Sequence, residues 1–452
     1  MGSETLPKLP FLDFSKIEED LKVPDTTYWF KACNDVREAF EEYGCFIVEC
    51  NITLSSEFRS EVFGSLKELF DLPTETKMKN RYDQKPLNGY VGQIPKLPLH
   101  ESLGINNATS LEATQSFTNI MWPHGNGSFC KTLNTYAKVV AELDRMVSRM
   151  VFESYGLEKY HDSYMESITY LLRVLKNRAP KEDESNLGFV THTDKSFTTI
   201  LHQNQINGLQ IDTRDSQKID VELSPSSFIV IAGDALMAWS NDRIHSPSHR
   251  VIINERAIDR YSLGLFSFSN GIVEVPEELV DEQRPLKYKP FEHLGLLRFF
   301  RTDEGLKSKC PIKAYSDSII VPDHLQNHFH SGSPLDSSGS PPDSISTWIT
   351  FNQHPRSPPE SISILITSRV NQCSGSSPDS FSTHITSGSI NIPDHLRLNQ
   401  HPGSPPRSIS IWITFGVNRQ HPRSPLDSII VSNHLRACHH AYRASFANSI
   451  WL

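Results

Sequence analysis

No apolar run in this chain approaches the ~18 residues that a membrane-spanning helix needs. The richest candidate, "SFIVIAGDALMAW" at 227–239, is broken by Asp234. The opening "MGSETLPKLP" has neither a basic nor an apolar targeting segment, and Leu6 stands where a myristoylation signal carries Ser or Thr. A cytoplasmic protein with no membrane partner is expected. None of the seven cysteines (Cys33, Cys45, Cys50, Cys130, Cys310, Cys373 and Cys438) forms a Cys-x-x-Cys pair, which excludes a zinc ribbon and argues for reduced thiols filling a core. There is no long basic run, and the net charge is -9. A nucleic-acid surface needs clustered Lys and Arg, so no nucleic-acid partner is expected. A small-molecule substrate and a monomeric chain are expected instead.

Lysine is absent after Lys313, and residues 316–452 hold 14 of the 29 prolines and 11 of the 19 histidines. This change of composition separates a tail from a folded region. The tail repeats one phrase, as "SPPDSISTWIT" at 340, "SPPESISILIT" at 357, "SSPDSFSTHIT" at 376 and "SPPRSISIWIT" at 404, with spacings of 17, 19 and 28. Stacked repeats need a fixed period, so a disordered, Ser/Pro/His-rich low-complexity tail is expected, although its "SISIWIT" runs have the texture of strands. Its histidines lack paired metal-ligand spacing.

Residues 1–315 read as a folded body in two stretches, 1–125 and 126–315. In the second, Leu133, Tyr136, Val140, Leu143, Val147, Met150 and Val151 form one helical stripe that ends before Gly156. Shorter helices are expected at 29–43 and 55–71, with "CFIVE" as a strand between them, and a helical segment closes the region. From residue 168 the pattern turns to β: "ITYLLRVLK", "FTTILHQ", "GLQID", "IDVEL", "SFIVIAGD", "LMAWSN", "HRVII" and "RYSLGLFSF". The expected fold is mainly β with flanking helices, around a jelly-roll (double-stranded β-helix) core.

Within that β region "THTDKS" sets His192 and Asp194 two residues apart, on one face of an extended backbone. About one His-x-Asp is expected by chance in such a chain, so the pair needs a third ligand to mean anything. "HSPSHRV" offers His245 and His249. A helical zinc-protease site is excluded, because Pro247 opposes a helix and Ser246 occupies the place of the general-base Glu. If "SHRVII" is a strand, His249 begins it and looks inward with Val251 and Ile253, while His245 stays in the preceding loop. In "RYSLGLFSF", Arg260 and Ser262 share a strand face and can hold a carboxylate by a fork and a hydroxyl. Two His and one Asp leave three positions open on an octahedral ion, the arrangement of non-haem Fe(II) oxygenases. A 2-oxo acid could chelate such an ion while its far carboxylate rests on Arg260 and Ser262, leaving a position for dioxygen.

These residues resemble those of the plant 2-oxoglutarate- and Fe(II)-dependent dioxygenases, whose pattern His-x-Asp, then His-Arg-Val after about 55 residues, then Arg-x-Ser appears here as "HTD", "HRV" and "RYS". "LPFLDFS" and "EEYGCFIVE" look like that family's N-terminal region. "GYVGQIPKLPLHESLGI", "SFTNIMWPHGN" and "HTDKS" look like its AOP branch, named for members acting on glucosinolate side chains. The resemblance implies His192, Asp194 and His249 as metal ligands and catalytic residues, with His245 outside the ligand set. It implies Arg260 and Ser262 as cosubstrate contacts, Fe(II) and 2-oxoglutarate as cofactors, ascorbate as reductant, and a plant specialised metabolite as substrate. Two departures stand out. Arg260 follows His249 by eleven residues, one more than the family spacing, and Asn177 occupies the place of a Tyr that contacts 2-oxoglutarate.

Overall fold

A computed structural model describes residues 8–15, 27–50, 54–82, 88–319, 344–352, 363–368 and 413–416. Two compact units are distinguished, one drawn mainly from residues 1–328 and one from 329–445.

The first unit is built on β1 (Phe11–Asp13), β2 (Cys45–Glu49), β3 (His100–Asn106), β4 (Ile168–Asn177), β5 (Leu187–His192), β6 (Thr198–Gln203), β7 (Leu209–Asp212), β8 (Lys218–Asp220), β9 (Ser227–Ala232), β10 (His249–Ile252) and β11 (Arg260–Ser269). A seven-stranded sheet runs β1-β2-β9-β6-β11-β4-β3, and a four-stranded sheet runs β5-β10-β7-β8. From β4 onward the chain alternates between them, with β4, β6, β9 and β11 in the large sheet and β5, β7 and β10 in the small one. That alternation is the expected double-stranded β-helix. All pairings in these two sheets are antiparallel except β1 with β2.

The period-two rule shows in β9, "SFIVIA", which is buried throughout. Phe228, Val230 and Ala232 join the main core, whereas Ile229 and Ile231 join a second cluster with Cys45, Leu209, Ile211 and Ile219. The second cluster fills one end of the space between the sheets. The main core includes helix α1 (Thr27–Glu42), α2 (Ser56–Phe70), α3 (Leu111–Met121) and α4 (Gly127–Ser154). In α4 every member of the expected stripe is buried, each side chain contributing about 2 kcal/mol of transfer free energy. The Asn126 side chain caps this helix by accepting from the Phe129 amide at 3.0 Å, and Gly156, at φ +69°, lies just beyond its end.

Three expectations change. "LMAWSN" is not a strand, because Asp234–Trp239 is helical. Ala235, Leu236, Ala238 and Trp239 are all buried, so the segment carries no periodicity to betray its helix, while Ala, Leu and Met favour one. β5, "LGFVTH", is an additional strand, short and mixed in polarity. The boundary at 315 falls inside the helix Pro311–Ser318, the last of three that form the expected closing helical segment after His293–Phe299 and Asp303–Lys307. Tyr315 packs on Phe299 with ring centroids 5.4 Å apart, and the Ser316 hydroxyl accepts from the Lys289 amide at 2.6 Å. The folded body therefore runs to at least residue 319. Across residue 125 the two stretches share one sheet, since β1, β2 and β3 lie in the same sheet as β4.

In the second unit, Ser344–Asn352 pairs antiparallel with Ser363–Ser368 and with Ile413–Gly416. These segments come from the repeated phrase. The rest of the tail, including the repeat at 376 and most of its histidines, lies outside the described residues. Cys33, Cys45 and Cys130 are buried free thiols, Cys50 is buried, and Cys310 is free and half-buried. Among the described residues no helix is long and apolar enough to cross a membrane.

Candidate active site

At the end of the roll not filled by the second cluster lies a cavity of about 160 Å³, walled by β4, β6 and β11 of one sheet and β5, β7 and β10 of the other. Most of its lining is apolar, including Val91, Leu171, Leu175, Phe189, Val251 and Phe266.

His192 ends β5 and His249 begins β10, and the two are direct cross-strand partners. Residues 57 apart in sequence are thereby brought together, with imidazole centroids at 4.2 Å. Asp194 follows β5 by two residues. Its Oδ1 lies 3.6 Å from His192 Nε2 and 3.8 Å from His249 Nε2, and one ligand atom from each of the three residues falls within 4.8 Å of the others. Among the described residues this is the one His/Cys/Asp/Glu cluster with such geometry.

The protonation pattern suits a cation. His192 Nδ1 meets the Val190 carbonyl at 2.9 Å and His249 Nδ1 meets the Pro247 carbonyl at 3.3 Å. A carbonyl only accepts, so each Nδ1 carries a proton, and each Nε2 is left to face Asp194. Burial first, then the neighbouring His192, pushes the His249 pKa down to about 4, which keeps the ring neutral. Burial alone would raise the pKa of Asp194, but His249, His192 and Thr199 outweigh it and hold the carboxyl below the usual range. Its Oδ2 is buried with no hydrogen-bond partner among the described residues. Asp194 is thus a buried carboxylate with one oxygen orphaned and the other facing two imidazole Nε2 atoms, a costly arrangement that a bound divalent cation relieves. The donor set fits iron.

Arg260 stands in the same cavity, 3% exposed. Its Nη2 and Nε donate to Gln203 Oε1 at 2.7 and 3.3 Å, and its Nη1 donates to Ser262 Oγ at 3.2 Å and to Asn177 Oδ1 at 3.3 Å. These partners are all neutral. Burial lowers its pKa to about 10, still a cation at neutral pH, and no carboxylate among the described residues lies within ion-pair distance. A buried guanidinium in that state is a receptor for an anion.

Asn177 lines the cavity but turns its amide into the wall. Nδ2 donates to the Gly188 carbonyl at 2.9 Å and approaches His100 Nδ1 at 3.5 Å, while Oδ1 faces Arg260. Between His249 and Arg260 residues 254–258 are exposed, while β10 pairs with β7 and β11 with β4. His245 is not part of the cluster. Gln203 and His100 were not foreseen. Gln203 reaches Arg260 because β6 and β11 pair Gln203 with Ser262, and His100 reaches Asn177 because β3 and β4 pair them. No local motif announces either residue. His100 is deeply buried, its pKa pushed down to about 3 by burial and then by Arg173, His192 and Arg260, and its Nε2 meets Ser102 Oγ at 3.1 Å. Ser102 Oγ accepts in turn from Arg173 at 2.6 Å. A polar row therefore runs Arg260, Asn177, His100, Ser102, Arg173 along an otherwise apolar wall.

A jelly roll that gathers two His and one Asp beside an anion-receiving Arg has the architecture of a mononuclear non-haem iron oxygenase. Comparison with known proteins gives the particular family. Residues 168–269 match the 2OG-Fe(II) oxygenase superfamily, and residues 9–124 match the non-haem dioxygenase in morphine synthesis N-terminal family. The probable 2-oxoglutarate-dependent dioxygenase AOP1 of Arabidopsis thaliana is 42% identical over 330 residues, covering 70% of this chain and 99% of that protein. The probable inactive 2-oxoglutarate-dependent dioxygenase AOP2 of the same plant is 32% identical over 402 residues, covering 70% of this chain and 98% of that protein. Among solved structures, the 2-oxoglutarate complex of dioxygenase for auxin oxidation 1 from Arabidopsis thaliana superposes with a TM-score of 0.54 at 27% identity, covering 62% of this chain and all of that one. The chain belongs to the 2-oxoglutarate- and Fe(II)-dependent dioxygenases.

Proposed function

We propose that this dioxygenase oxidises a small, largely apolar plant metabolite, by hydroxylation, desaturation or dealkylation, with release of succinate and CO2. His192, Asp194 and His249 hold the iron, and Arg260 with Ser262 holds the distal carboxylate of 2-oxoglutarate. When bound, the iron supplies the activation of dioxygen and the oxidising step. The protein's own residues do the rest: the two imidazoles present their Nε2 atoms, Arg260 fixes the cosubstrate's orientation, and the apolar walls exclude water. Asn177 acts on the cosubstrate through Arg260, since its amide is engaged with Gly188, His100 and the guanidinium. At the other end of the polar row, Arg173 and Ser102 offer a polar or anionic group of the substrate a hydrogen-bonding end to an apolar cavity. Ascorbate serves as reductant, and the protein acts as a cytoplasmic monomer.

The observation that carries this reading is the buried Asp194 carboxylate, one oxygen orphaned and the other facing two imidazole Nε2 atoms, in the same cavity as a buried Arg260. Succinate formation from 2-oxoglutarate with Fe(II), ascorbate and a plant metabolite extract tests it, with His249→Ala expected to abolish the signal. A second reading, a catalytically impaired binding protein of the same fold, draws support from the engaged Asn177 and from the inactive AOP2 relative. Calorimetry separates the two, because the impaired form binds metal without binding 2-oxoglutarate. The intact brace around Arg260 favours catalysis.

A further inference from the structure

Beside the metal-ligand cluster, with Lys195 in the cavity lining, lies a buried ion pair that takes no part in the ligand set or the anion receptor. Lys195 Nζ is 2.9 Å from Asp234 Oδ2, with side-chain exposures of 10% and 3%. Both ends are tied to ligand-bearing backbone. Lys195 follows Asp194 directly and donates to the Thr193 carbonyl at 2.7 Å and to the Thr193 hydroxyl at 2.8 Å, gripping the turn between His192 and Asp194. Asp234 receives Ser246 Oγ on its Oδ1 at 2.8 Å, and its own amide donates to the Asp194 carbonyl at 2.8 Å. Ser246 immediately precedes Pro247, whose carbonyl orients the His249 ring.

Asp234 thus links both segments that deliver ligands: its amide and, through Lys195, its carboxylate hold the 192–194 turn, and the same carboxylate holds the 246–249 approach. The surroundings leave it little play. A Cβ on Gly233 would lie 2.0 Å from the Ser196 carbonyl oxygen, so the start of the Asp234–Trp239 helix presses against the ligand turn as only glycine permits. From the other side, His293 accepts the Ser269 amide on Nδ1 at 3.0 Å, which places its proton on Nε2 for donation to the Lys195 carbonyl at 2.8 Å. The Lys195 ammonium sits 4.8 Å from the Phe300 ring centroid, under the same C-terminal segment.

We propose that the Lys195–Asp234 pair is a positioning device for the metal centre, setting Asp194 and His249 relative to each other through Thr193 and Ser246. This rests on the reading of His192, Asp194 and His249 as the metal ligands. Groups behind metal ligands typically change metal affinity by about 10- to 100-fold when removed.

The test uses the full-length apo protein and Co(II) as probe, with affinity from calorimetry, coordination from the ligand-field absorption of the bound ion, and stability from thermal unfolding of the apo form. Lys195→Met and Asp234→Asn each leave a buried group without its partner, so both are expected to lower apo stability and weaken Co(II) binding about 10- to 100-fold. The double variant Lys195→Met/Asp234→Asn carries no stranded charge. It is expected to regain most of the lost stability while Co(II) affinity stays weak and its absorption stays altered, and it keeps the test valid if a single variant does not fold. Wild-type affinity and absorption in the double variant would overturn the inference while leaving the metal reading intact. A wild-type protein that binds no Co(II) would overturn both.

Discussion

Replacing Arg260 by Met should separate cosubstrate binding from chemistry. The guanidinium is buried, carries its charge and spends its internal hydrogen bonds on neutral Gln203, Ser262 and Asn177. A carboxylate docked on its fork gains two charge-assisted hydrogen bonds, each worth about 1.5–3 kcal/mol in a site of this kind. Their loss amounts to about 3–6 kcal/mol, or roughly a hundred- to ten-thousand-fold rise in the KM for 2-oxoglutarate. Because Arg260 meets the end of the cosubstrate remote from the reacting atoms, kcat at saturating 2-oxoglutarate should fall far less than kcat/KM. Arg260→Lys keeps the charge without the fork and should lie between the wild type and the Met variant. Succinate formation measured against 2-oxoglutarate concentration, with binding checked by anaerobic calorimetry, provides the assay. A KM for the Arg260→Met variant within threefold of wild type would refute the assignment of this residue to the cosubstrate.

Three further outcomes are expected. Asn177→Ala should raise the KM for 2-oxoglutarate by about tenfold through a loosened Arg260, the worth of one hydrogen bond, with metal affinity unchanged by calorimetry. Asp144, buried on α4 and bonded to Thr198 and Tyr170, has its pKa raised to about 6 from 3.8 by burial, which the two hydrogen bonds only partly offset. A raised folded-state pKa gives stability that is complete below about 3.8 and lost as pH climbs through about 6, a penalty of about 3 kcal/mol at pH 8. Asp144→Asn should therefore be the more stable protein in urea at pH 8, with its advantage vanishing toward pH 4; a variant weaker than wild type at pH 8 would contradict this. Ending the chain after residue 320 should preserve its melting temperature and metal binding. Ending it after 314 removes Tyr315 and the buried Ser316 and should cost on the order of 2 kcal/mol by thermal unfolding.

What was legible in the sequence follows from how far each signal reaches along the chain. The α4 stripe announces itself through local periodicity and the strands β4, β9 and β11 through short runs rich in β-forming apolar residues, and His192, Asp194, His249, Arg260 and Ser262 sit in short motifs. Asp234–Trp239 was misread as a strand because burial on all sides erases period. Gln203 and His100 were invisible for a different reason: their roles arise from cross-strand register, which joins residues 57 and 77 apart. The same register turned Asn177 from a cosubstrate contact, as its motif position suggested, into a brace for Arg260.

The central claim is that three side chains, and not His245, meet around one metal ion. Mn(II) titration of the purified apo protein, read by calorimetry and by the paramagnetic signal of the free ion, addresses it most directly. The account predicts one ion per chain for wild type and for His245→Ala, and at least a hundredfold weaker binding for His249→Ala. Undiminished binding in His249→Ala, or its loss in His245→Ala, would contradict it.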